Sequence, residues 1–261
     1  MSLITGLYVP GDRPERFDKA VATGADLVIL DLEDAVAPAA KDAALEAVVT
    51  WLRARAPGGP VIQVRVNPGR DHEFDALRAT GAAIGVRLPK ADDRAALDHA
   101  AELAAGLPLT ALLESARALE NAAAIAAHPS VTGLALGESD LASDLGTRDA
   151  AVLDHARIRV LVAARSAGLP APMLSVYPHL ADLDGLRADT ERGRRLGAVG
   201  RVAAHPRQLA IIREVFAPTD EERAWAQSVL AAMENGGVAT LASGEMVDPA
   251  MLGRARSILN R

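Results

Sequence analysis

At 261 residues, half of them apolar, the chain can bury a sizeable core in one large domain. A net charge of −6 argues against nucleic acid or an anionic membrane surface as partner, and 3% aromatic content argues against a base-stacking platform. The lack of cysteine excludes disulfides, thiolate chemistry and cysteine-based metal sites. The N-terminal MSLITGLYVPGDRPER is too short in apolar length for a signal peptide, and no apolar run approaches the roughly 18 residues of a membrane span. A cytoplasmic protein is the expectation.

In chain order, apolar runs predict strands at 3–9, 27–31, 61–66, 84–88, 109–113, 132–136, 172–177 and 199–204. Ala-, Leu- and charge-rich stretches such as KDAALEAVVTWLRAR separate them, several stopping on glycine. Strand alternating with helix eight times predicts a parallel (β/α)8 barrel, a TIM barrel over residues 1–216. No G-x-G-x-x-G follows the first strand, which weakens a dinucleotide-binding fold. Residues 217–261 then form a helical extension, with Thr219 expected to cap its first helix. A barrel closes without such a tail, so it is a candidate lid or oligomerisation arm.

Barrel active sites lie where strands end. The first strand is followed by Arg13, the second by Asp31, Glu33 and Asp34, the third carries Arg65, and the fourth is followed by Lys90. The fifth ends at Glu114, the sixth at Gly137-Glu138-Ser139-Asp140, and the eighth at His205. Glu114 and Asp140, with no His or Cys ligand nearby, suit a hard cation such as Mg2+ that takes one or two carboxylates and completes its shell with water or substrate oxygens. Each could instead cap a helix, although glutamate caps poorly. Strand alternation places Asp31 and Glu33 on one side; Glu33 and Asp34 are candidates to support the metal's waters or a proton transfer. An arginine inside an apolar strand, as Arg65 is, needs an anion: a substrate carboxylate or the acidic cluster after the second strand. Arg13 could hold phosphate or only lie on a solvated face. His205, before proline, reads as a buried hydrogen-bonding residue.

LYVPGDRPERFDKA, ADLVILDLEDAV, VRVN, LPK, LLESA, GESDLASDLG, HPRQ and GEMVDPAML occur in an order that resembles the citrate lyase beta subunit-like family of the HpcH/HpaI aldolase/citrate lyase superfamily. The resemblance covers nearly the whole chain. It implies a Mg2+-dependent (β/α)8 carbon–carbon lyase that cleaves a 3-hydroxyacyl-CoA thioester of citryl, citramalyl or malyl type to an oxo acid and an acyl-CoA. It implies Glu114 and Asp140 as metal ligands, Arg65 as the substrate-contacting arginine, and Asp248 of the M-V-D motif as a proton-transfer residue. It also implies a homotrimer or homohexamer in which the tail closes over a neighbouring subunit. The chain departs from the pattern at ESARALEN, which lacks an early glycine, and at Ser175, where relatives tend to have aspartate. A pyruvate-type aldolase on free hydroxy-oxo acids is one alternative; a malyl-CoA thioesterase or malate synthase-type activity is another.

Overall fold

The computed structural model describes residues 3–234 and 236–259. It separates into two compact units, Leu3–Val215 and a C-terminal one that begins at Phe216. The larger unit is built on seven parallel strands: β1 (Thr5–Pro10), β2 (Leu27–Asp31), β3 (Val61–Arg65), β4 (Gly85–Leu88), β5 (Leu109–Leu113), β6 (Val131–Leu136) and β7 (Arg201–Ala203). Their order is β6-β5-β4-β3-β2-β1-β7, as expected for successive βα units, with the last strand folding back beside the first.

Every residue of β2 and of β5 is buried, the mark of strands covered on both faces. Alternation divides them. Val28, Leu30, Ile62, Val64 and Val86 face one way and have at most 1% of their surface exposed. Register sets Asp31 beside Arg65 and Arg65 beside Arg87 on the other face. The sheet curls around that polar face. Laid flat, β6 and β7 would lie about 29 Å apart at ~4.8 Å per strand, yet Leu136, Tyr8 and Ala204 line one cleft.

The expected eight-stranded closure is not present as a hydrogen-bonded ladder. The predicted strand 172–177 is reduced to a single bridge, Leu174 to Arg201. Leu174 N donates to Gly200 O at 2.8 Å, and Val202 N donates to Leu174 O at 3.0 Å. Pro172 opens this segment and Pro178 follows it, and neither has an N–H to give to a ladder. Leu136 and Met173 instead line a small cavity where a β6 ladder would run.

The C-terminal unit pairs helices Asp220–Ala232 and Leu252–Leu259 around Ala226, Val229, Met233, Val247 and Ala255. Thr219 starts the first with a reciprocal capping box, its hydroxyl accepting from Glu222 N at 3.1 Å while Glu222 accepts from Thr219 N at 2.9 Å. Among the described residues no helix is long and apolar enough to cross a membrane.

Candidate active site

At the carboxyl ends of the strands lies a cleft of about 350 Å3. One side of it is built from three loops. Glu114 follows β5 directly and is 3% exposed. Ser115 caps the next helix, accepting from Ala118 N at 3.0 Å, so the capping alternative for Glu114 fails and its carboxylate is left for the cleft. The Glu114 Oε1 accepts from the backbone N–H of Lys90 at 2.8 Å and lies 3.0 Å from Lys90 Nζ. Asp140 stands in the first turn of helix Glu138–Leu145, whose N-cap, Gly137, gives no side-chain cap. Its Oδ1 accepts from the same Nζ at 3.1 Å. One ammonium thus bridges both predicted metal ligands.

Two backbone features make this arrangement possible. A Cβ on Gly137 would lie 2.7 Å from Glu114 Cβ, so only glycine lets the β6 loop pass this close. Lys90 has φ 51°, a left-handed conformation that costs a side-chain-bearing residue about 1 kcal/mol. The contacts of its N–H and Nζ with Glu114 offset that strain. Burial raises the Glu114 pKa, opposed by its hydrogen bonds from Lys90. For Lys90 burial disfavours the charge, but hydrogen bonds to Asp140 and Glu114 outweigh it and raise the pKa.

The neighbouring strand β3 carries Arg65. Its Nε and Nη2 donate to Asp31 Oδ1 and Oδ2 at 2.7 and 2.6 Å, a bidentate pair. Nη1 lies 2.8 Å from Glu33 Oε2 and donates to Asp34 at 3.0 Å. The ion pair with the acidic cluster, one of the two readings of Arg65, is therefore formed. Burial is the main cause that pushes Glu33 up to about 7; Arg65 pulls it down, and Asp34, Glu114 and Asp31 push it up. Its carboxyl can therefore hold or release a proton near neutrality.

Sequence reasoning missed Arg87. It is 5% exposed, lines the cleft, and donates from Nε and Nη2 to the neutral Gln63 Oε1 at 3.1 and 3.0 Å. Tyr8 lies between the two arginines, its ring centroid 5.2 Å from Arg65 Cζ and 5.8 Å from Arg87 Cζ. The signal was present in IGVRL, which sets an arginine in an apolar strand as VIQVRV does.

Other predicted residues make local contacts. Arg13 is solvent-exposed, its Nε 3.7 Å from Asp12. Asp248 belongs to the C-terminal unit, where it caps a short 3-10 turn by accepting from Ala250 N at 2.9 Å. His205 is exposed rather than buried, because it caps the turn after β7 and accepts from Arg207 N at 3.2 Å.

Among the described residues no group of three or more His, Asp or Glu gathers as a metal cage. Two carboxylates converging on one cation, without imidazole, make a site for a hard ion that brings its remaining oxygens from water or ligand. The class is thus an α/β protein with two carboxylates, bridged by one lysine, at the carboxyl rim of a curled parallel sheet. Residues 4–206 match the HpcH/HpaI aldolase/citrate lyase family, and the chain belongs to it. The chain is 37% identical to a (3S)-malyl-CoA thioesterase of Cereibacter sphaeroides (strain KD131) over 97% of its length and 92% of the relative's. It is 38% identical to a citrate lyase subunit beta-like protein of Mycobacterium tuberculosis (strain H37Rv), over 98% of this chain and 94% of that one. The crystal structure of CitE from M. tuberculosis with magnesium, acetoacetate and coenzyme A superposes with a TM-score of 0.82 at 35% identity, covering 99% of this chain and 97% of that one.

Proposed function

We propose that the protein is a Mg2+-dependent carbon–carbon lyase that cleaves a 3-hydroxyacyl-CoA thioester to an oxo acid and an acyl-CoA. The observation that carries this reading is the Glu114–Asp140 pair converging on one cation beside Arg65. Glu114 and Asp140 would hold Mg2+, which when bound supplies Lewis acidity towards hydroxyl and carboxylate oxygens. Lys90 must give up its place between them and can then meet an anionic oxygen of the substrate. Arg65, fixed on three sides by carboxylates, is assigned the hydrogen-bond contact with the oxygen where charge develops. Cleavage leaves an acyl-thioester enolate that needs a proton. Asp248, brought by the tail of a second copy in a homo-oligomer, is assigned that transfer, with Glu33 as a near-neutral carboxyl buried against Arg65. Arg13, exposed on the loop after β1, is assigned to an anionic group of the coenzyme.

Thioester hydrolysis is the second reading, favoured by the thioesterase at 37% identity. The lack of cysteine makes the two easy to separate, because a thiol reagent then reports only released coenzyme A. Metal-stripped protein is offered citryl-, citramalyl- and malyl-CoA with and without Mg2+. Oxo acid appearing without free thiol supports the lyase, and thiol release matching hydroxy-acid formation supports hydrolysis. Turnover confined to free hydroxy-oxo acids would replace both with an aldolase.

A further inference from the structure

Two cleft-lining arginines, Arg65 and Arg87, sit side by side in register with opposite electrostatic surroundings. Arg65 has three carboxylates within 3.0 Å. No ion pair of Arg87 with any carboxylate is found among the described residues, where its hydrogen-bonding contacts are Nε and Nη2 on a single amide oxygen of Gln63. That amide is committed in turn, because Gln63 Nε2 donates to Thr110 Oγ1 at 2.9 Å, which holds the oxygen towards Arg87. A cation this buried is costly without a counter-charge. Gln63 and the Tyr8 ring orient the guanidinium but do not neutralise it. The cleft lining offers a second unmet group near β7: Ser175 Oγ is buried with no hydrogen-bond partner among the described residues.

We propose that Arg87 is a specificity residue that receives a second carboxylate of the substrate, so that the preferred oxo acid is a dicarboxylate rather than pyruvate. This rests on the lyase reading above, in which the metal site takes the oxo and adjacent carboxylate oxygens. The remaining substituent on the oxo carbon then faces the cleft wall. A hydrogen or methyl there leaves Arg87 uncompensated, whereas a carboxymethyl group completes its fork. Ser175 adds a neutral donor or acceptor elsewhere on the cleft lining. Specificity of this kind comes from the buried polar group left unpaired by the wrong ligand.

The test is calorimetric binding of freshly dissolved oxaloacetate and of pyruvate to the Mg2+-loaded full chain, in the wild type, Arg87→Met and Arg87→Lys. The wild type should bind oxaloacetate at least about tenfold tighter than pyruvate, the worth of one charge-assisted pair. Arg87→Met should lose that preference while keeping the wild-type pyruvate affinity, and Arg87→Lys should retain part of it. Equal weakening of both ligands, or an unchanged preference, would assign Arg87 a structural role and overturn the proposal. The lyase reading is tested separately by repeating the titration with Glu114→Gln and without metal. Oxo-acid binding that survives both overturns that reading, whatever the Arg87 ratio shows.

Discussion

Glu138 and Asp140 stand two residues apart at the start of one helix, yet they belong to regions built on opposite plans. Glu138 takes both forks of Arg157 at 2.8 Å, and Arg157 also bonds Asp154 at 3.2 Å and Asp189 at 3.1 and 3.2 Å. Asp189 in turn pairs with Arg201, which is 1% exposed and donates to Thr190 and to Ser175 O. This is a closed network of rigid guanidinium forks. Asp140, with a 43% exposed side chain, and its partner Glu114 share instead one half-exposed ammonium on a flexible stem. Carboxylates locked by several arginines hold scaffold. Carboxylates held together by one lysine can exchange it for another cation.

Breaking the exchangeable region should have the largest effect. Glu114→Gln keeps the shape but removes half of the cation site, and should lower turnover by at least about 10^3 with little change in melting temperature. A variant that melts far below the wild type would instead place Glu114 in the scaffold. Breaking the scaffold should do the reverse. Arg157→Met strands Glu138 and Asp189 and should cost about 3 kcal/mol in chemical denaturation, with Mg2+ affinity of the folded fraction nearly unchanged. Gly137→Ala tests where the regions meet, since its Cβ would force Glu114 aside; Mg2+ affinity measured by calorimetry should fall about tenfold.

The smallest effect concerns Glu33. Its native pKa of about 7 stands above the ordinary 4.5, so between these values the native state binds the proton that the unfolded state has lost. Stability of the metal-free protein should therefore fall as pH rises through that window. Glu33→Gln should flatten this slope in a series of melting curves, and an unchanged slope would remove Glu33 as its source.

Much of this was legible in the chain. Runs such as LVILD and LTALL could only be buried strands, and a glutamate directly after LTALL could not be explained as a good cap. The alternation that puts Asp31 and Glu33 on one side is met in their shared contact with Arg65. The segment 172–177 looked like a strand because apolar content was read between Pro172 and Pro178, whose missing donors limit a ladder at both ends. Arg87 went unread although IGVRL carries the same local signal as VIQVRV.

The sequence by itself determined where strands end and which residue types stand there, because burial on both faces demands largely apolar runs and carboxylates gather at their exits. Tertiary structure alone decided which charge meets which. Glu138 finds Arg157 across 19 positions of chain and Arg157 finds Asp189 across 32, while Asp140 pairs with Lys90, its one ion-pair partner among the described residues. A left-handed turn at Lys90 and the missing Cβ of Gly137 bring two strand ends within reach of one cation. Such pairings depend on the curl of the sheet and on close backbone approach, which no local pattern of residues encodes.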